Sequence, residues 1–222
     1  MFKITRFLLV LIIATQLAGC YQQGIQEADI LVLNMGSPAT PAIARRLEMW
    51  GVNYTILEGL APIADIRKVN PRALIITGSP DSVLDAGSPR AHEDYFKLNI
   101  PILGLCYGMQ MIAEQLGGKV RKCSKSEKDV VPVRFNGKCE LAHSGLREMN
   151  VLMDHDDCVV EVPHGFHTDA SSDITQHAMI CSHDRKVYLI QFHPERYDMV
   201  PASGTFLDAF IHKAVKHDRL IP

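Results

Sequence analysis

The sequence predicts an α/β domain, built as an open, mostly parallel sheet with helices on both faces and a small antiparallel appendage. Three observations carry this. Up to residue 118, short apolar runs ending in turn residues alternate with segments of helical spacing. From about residue 119 the chain changes to many short strand-like segments separated by turns. A last apolar run, Val187 to Phe192, is hydrophobic enough to return to the main sheet.

The elements follow in order. Asp29 to Asn34 is a buried strand feeding the loop Met-Gly-Ser-Pro, and Ile43, Leu47 and Trp50 give the next segment a helical face that stops at Gly51. "YTILEG" is a second strand, "IADIRKVNP" a short helix stopped by Pro71, and "RALIITGSP" a third strand with a glycine turn. "PRAHEDYFKLN" reads as helical, "IPILGL" as a central strand, and "GMQMIAEQLGG" as a helix closed by paired glycines. "SGTFLDAFIHKAVKH" is an amphipathic helix. One α/β domain over 29–222 is expected, with no internal repeat.

With 23 Lys+Arg against 25 Asp+Glu the charge is nearly balanced. No basic stripe is visible, so no nucleic-acid partner is expected. The first 20 residues read differently. Lys3 and Arg6 precede the apolar run Phe7 to Ala14, which is too short for a membrane span of about 20 residues and fits a cleaved export signal. The ending Leu17-Ala18-Gly19-Cys20 resembles a bacterial lipobox, in which Cys20 would carry the lipid. Residues 21–28 would then be a linker. The expected location is outside the cytoplasm, on the periplasmic or external face of a membrane, with the cytoplasm as the alternative if the signal is not used. Cys123, Cys139, Cys158 and Cys181 allow three disulfide connectivities in an oxidising compartment, or four free thiols in the cytosol.

In open α/β sheets ligands bind beyond the carboxyl ends of the strands, and three such ends carry unusual residues. Cys106 lies between strand and helix, flanked by Gly104 and Gly108, where a helix N-terminus favours a negatively charged sulfur. Read alone it is either a nucleophile on an elbow or a buried structural thiol. His193 follows an apolar strand, with Glu195 two residues on across Pro194. The pair suits a general base and its orienting carboxylate, or a solvated surface pair. Thr77-Gly78-Ser79-Pro80 is either an oxyanion turn or a plain one. A fourth cluster, His155, His164 and His167 beside several Asp residues, reads as ordinary loop residues, because strands and turns at that spacing promise no shared metal-binding face.

Together "GLCYGMQ", "QFHPE" and "TGSPDSV" resemble the class I, or triad, glutamine amidotransferases, and most of all the glutaminase domain of GMP synthetase. The similarity extends over most of residues 29 to 200 and takes in "ILVLNMGS", "IARRLEMWGV" and "VLMDHDD". The resemblance implies a flavodoxin-like sheet and a hydrolase that needs no metal or organic cofactor. It implies that Cys106 attacks the glutamine side-chain amide, that His193 and Glu195 complete the triad, and that the backbone N–H groups of Ser79 and Tyr107 receive the oxyanion. Gly78, Gln110, Asp154 and His155 fall at substrate-contacting positions.

Three departures stand out. Ser79 replaces the second glycine of the family's Gly-Gly-Pro loop. Asp154-His155-Asp156-Asp157 replaces Ser-His-Gly-Asp, and Lys128-Asp129 stands where an aromatic-glycine pair is expected. The 222 residues show no phosphate loop of the Walker or Ser-Gly-Gly-x-Asp-Ser type. Ammonia would therefore pass to a separate synthetase, or the chain would act as a free amidase on glutamine or on a γ-glutamyl substrate. A non-enzymatic binding protein on the same scaffold is the remaining expectation.

Overall fold

The computed structural model describes residues 25–215. The predicted export signal, Cys20 and residues 21–24 of the predicted linker lie outside that range. Strands β1 (Ile30–Asn34), β2 (Tyr54–Glu58), β3 (Ala73–Ile76), β4 (Ile102–Leu105) and β11 (Val187–Ile190) run parallel to one another. The crossover helices are α1 (Thr40–Met49), α2 (Ile63–Val69) and α3 (Tyr107–Gln115), and α4 (Thr205–Val215) follows β11.

Strict alternation along the strands divides the core in two. Ile30, Val32, Ala73, Ile75 and Tyr188 face α1 and α4, where Ile43, Leu47, Phe206 and Phe210 are buried. Leu31, Leu33, Leu74, Ile76 and Leu189 face α2 and α3, against Ile66, Val69, Met109 and Ile112. Near-continuous apolar strands such as "ILVL" are required because both faces are covered. Arg46 and the Trp50 indole both donate to Asp208, at 2.7 and 2.6 Å, tying α1 to α4.

One expectation needs correction. "PRAHEDYFKLN" forms only a single 3₁₀ turn, Glu93–Lys97, and not a helix. Pro89 and Pro101 bracket the segment and Asn99 adopts φ 53°, so no room is left for further helical turns. The open, mostly parallel sheet and the small antiparallel appendage are both present. The main sheet has nine strands in the order β2-β1-β3-β4-β11-β10-β9-β6-β7. Its antiparallel half is β10 (Met179–Ser182), β9 (His167–Ser171), β6 (Val130–Phe135) and β7 (Glu148–Leu152). Only β5 (Lys119–Glu127) and β8 (His155–Glu161) form the separate two-stranded sheet. A disulfide joins Cys123 to Cys158 across that pair, while Cys106, Cys139 and Cys181 are free.

Candidate active site

Cys106 occupies the N-cap of α3 with φ 49° and ψ −107°, a conformation that L-residues rarely adopt. The packing around it enforces this strain. A Cβ on Gly108 would lie 2.5 Å from the Ile76 carbonyl oxygen, and one on Gly104 would lie 2.8 Å from Ile112. Only glycines let α3 sit this close to β3 and β4. The elbow is pinned further by the Cys106 N–H, which donates to the Ile190 carbonyl at 2.8 Å.

His193 and Glu195 come from the turn after β11. The Nδ1 of His193 bonds Glu195 Oε1 at 2.8 Å, and the Glu195 carboxylate is only 1 % exposed. His193 Nε2 is buried and makes no regular hydrogen bond. Burial works against charge on the ring, yet the Glu195 carboxylate and the nearby Cys106 sulfur together hold the His193 pKa well above its ordinary value. A Cβ built on Gly78 would sit 3.6 Å from the Cys106 Cβ and 3.9 Å from the His193 ring, so Gly78 borders both. The three strand ends singled out in the sequence therefore meet at one place.

Ser79 fits the loop without strain. Among the described residues the positive-φ non-glycines are Asn70, Asn99, Cys106 and Lys186, so the serine is accommodated at an ordinary φ. Its hydroxyl folds toward Asp81, 3.2 Å from Asp81 Oδ2. The Tyr107 N–H opens α3 and has no acceptor one turn back within the helix.

Cys106 opens onto two cavities. One, of about 310 Å³, is lined by the Ser79–Ser82 loop, Tyr107, Lys122, Lys128 and the 154–157 stretch. The other, of about 170 Å³, lies on the His193 side, with Gly78, Leu152, Asp154 and Arg196 in its wall. The exposed Asp154 places its backbone carbonyl 3.7 Å from the Cys106 sulfur. In the larger cavity Lys122 pairs with Asp157 at 2.9 Å and Lys128 with Asp156 at 2.8 Å. Lys128 and the Ser126 hydroxyl hold the Asp156 carboxyl below its usual range.

Two of the predicted substrate positions are committed elsewhere. The Gln110 amide donates to the Asp157 carbonyl at 2.8 Å and to Gln191 Oε1 at 3.0 Å, so it braces β8 against β11. His155 is buried with Nδ1 3.0 Å from the Asp157 carbonyl and Nε2 3.3 Å from Glu127. Burial holds its pKa below the ordinary histidine value. Both line the cavity wall without presenting a free donor group.

Sequence reasoning gave no role to Gln191, whose amide lies 3.6 Å from the Cys106 sulfur, nor to the Thr77 hydroxyl, which accepts from Met35 N and donates to the Gly78 carbonyl, each at 2.9 Å, and so fixes the turn. A polar residue at the end of an otherwise apolar strand was the available signal in both cases.

The pattern described as glutamine amidotransferase class-I matches residues 31–214, which is most of the chain. The chain belongs to the class I glutamine amidotransferase family. Among its curated relatives is the glutamine-hydrolyzing GMP synthase of Bacillus licheniformis, 41% identical over 166 residues, covering 75% of this chain and 32% of that protein. The GMP synthase of Aquifex aeolicus is 39% identical over 171 residues, 77% of this chain and 34% of the relative. The chain thus spans about a third of the length of these amidotransferase relatives. In fold it is similar to a GMP synthase subunit from Thermoplasma acidophilum, with TM-score 0.69 and 24% identity, covering 88% of this chain and 97% of the other.

Proposed function

We propose that this amidotransferase hydrolyses the side-chain amide of glutamine through a γ-glutamyl thioester on Cys106. The observation that carries the reading is the buried His193 ring, tied at Nδ1 to Glu195 and free at Nε2 beside the thiol. His193 takes the thiol proton, and the sulfur attacks the amide carbon. The tetrahedral oxyanion lies toward the Ser79 and Tyr107 N–H groups. His193 then returns the proton to the leaving nitrogen and ammonia departs. A water molecule, deprotonated by His193, cleaves the thioester to glutamate and restores the thiol. Gly78 leaves space for the acyl carbon. The ion pairs in the larger cavity suit a zwitterion, with Lys122 and Lys128 toward the α-carboxylate and Asp154 and Asp156 toward the α-ammonium. Gln110 and His155 support that wall from behind.

One observation favours a second reading, a γ-glutamyl hydrolase. The cavity on the His193 side has room for a leaving amine larger than ammonia. The deciding experiment treats the purified protein with a reactive glutamine analogue, follows intact mass with Cys106→Ala as control, and then compares turnover of glutamine with γ-glutamyl peptides. A Cys106-dependent adduct and faster release of ammonia from glutamine support the first reading. Faster peptide turnover replaces it with the second, and no adduct in a folded protein removes both. The ammonia acceptor under the first reading is a synthetase activity of the GMP synthase type, detectable by glutamine-dependent amination.

We also propose that the protein resides outside the cytoplasm, held to a membrane by a lipid on Cys20. The Lys3–Cys20 pattern supports this, as does the Cys123–Cys158 disulfide, a bond that persists in oxidising compartments. Among the described residues no helix is long and apolar enough to cross a membrane. Cys20→Ser is expected to abolish lipid labelling and release the protein from the membrane fraction; unprocessed wild-type protein in the cytosol would refute export.

A further inference from the structure

At the end of the sheet opposite the triad, two histidines converge on a buried thiol. His167 Nε2, from β9, lies 3.1 Å from the Cys181 sulfur of β10. The ligand atoms of His167, Cys181 and His183 all lie within 4.8 Å of one another. His183 belongs to the turn between β10 and β11, and its ring stacks on that of His167 with centroids 5.0 Å apart. Both Nε2 atoms also approach the Lys138 carbonyl oxygen, at 3.3 Å for His167 and 2.9 Å for His183. A second buried free thiol, Cys139, follows Lys138 in the turn that both rings approach.

We propose that His167, Cys181 and His183 form a site for a thiophilic divalent cation of the zinc type, with water in the fourth position. Two imidazoles and a thiolate are donors that zinc takes in tetrahedral geometry. Bond lengths of about 2.3 Å to sulfur and about 2.0 Å to nitrogen give a ligand–ligand edge of roughly 3.5 Å, which small rotations of the side chains reach from the distances present. Binding deprotonates the Cys181 thiol and releases one proton.

The surroundings have the features of an organised site. His183 Nδ1 lies 3.5 Å from Glu140 Oε1, which orients the ring and leaves Nε2, now against the Lys138 carbonyl, to turn to the ion. Buried Asp169 accepts the Cys139 N–H at 3.0 Å and holds the Lys138–Cys139 turn in place, while its other oxygen has no hydrogen-bond partner. Cys123, His155 and Cys158 form the other cluster of ligand type among the described residues, but its two thiols are consumed in the disulfide. The proposed ion would staple β9, β10 and the turn before β11 at the end remote from Cys106, so its role is structural. It does not depend on which substrate the triad cleaves.

The test uses the full-length protein, stripped of metal by a chelator under anaerobic conditions without added thiol, and titrated with Co²⁺ and then Zn²⁺. Expected is one Co²⁺ per chain, with the visible bands of a tetrahedral ion and thiolate-to-metal charge transfer, displaced by Zn²⁺. Cys181→Ser and His183→Ala are each expected to weaken binding roughly 100-fold or more, and Glu140→Gln about 10-fold. The His183 side chain is 46% exposed, so its removal spares the core should the cysteine variant fold poorly. A cobalt spectrum without charge transfer overturns the site. So does binding unchanged by His183→Ala, or recovery of Cys139 and Cys181 as a disulfide from anaerobically prepared protein.

Discussion

Under the proposed function, the parallel part of the main sheet and the antiparallel remainder of the chain divide the work of the site. The parallel half supplies the reacting groups: Cys106 after β4, His193 and Glu195 after β11, and the Gly78-Ser79 turn after β3. The antiparallel side supplies what surrounds a substrate, through Asp154 between β7 and β8 and through the ion pairs of the β5–β8 ribbon. The first set sits in turns just past buried apolar strands, while the second sits on a half-exposed ribbon stapled by a disulfide.

That division can be broken most sharply at its centre. Cys106→Ala is expected to lower glutamine turnover by at least about 10³-fold with an unchanged circular dichroism spectrum. Glu195→Gln comes next, with kcat reduced by roughly 10²- to 10⁴-fold. The same change removes the carboxylate that keeps His193 charged against its burial, so the ring should titrate at a lower pH in a histidine NMR titration. In the wild type the raised pKa means that His193 adds stability which is complete below the unfolded histidine pKa of about 6.5 and is lost as pH rises through the folded value. Denaturant melts across that range should show this slope in the wild type and a weaker one in Glu195→Gln.

Gly108→Ala tests the packing of the parallel half and should cost about 1–3 kcal/mol, read from urea unfolding, because the new methyl meets backbone carbonyls of β3 and its turn. The smallest effect is expected on the ribbon. Lys128→Ala should raise KM for glutamine by about 3- to 10-fold, an effect of surface charge-pair size, with little change in kcat. A large loss of kcat there would abolish the proposed separation of roles.

The same contrast governs what was legible in the sequence. Strand ends of the parallel half announced themselves because Cys106, His193 and Glu195 are costly residues to place beside buried apolar runs. The antiparallel half was legible only as a change of texture. Its pairing of Lys122 with Asp157 and of Cys123 with Cys158 depends on the register between β5 and β8, which no local pattern encodes. The family resemblance puts Gln110 at a substrate-contacting position. Its use as a brace depends on Gln191, distant in sequence. The crossover before β4 was misread because its apolar spacing suits a helix while its flanking prolines do not.

The strained elbow at Cys106 has one more consequence. With Gly104 and Gly108 pressed against β3, β11 and α3, the sulfur is anchored to backbone that cannot slide toward a short substrate. The separation between thiol and charged ribbon then acts as a gauge of length. Asparagine, one methylene shorter, cannot reach both ends at once, and its turnover should trail that of glutamine by roughly 10- to 200-fold in a direct competition assay.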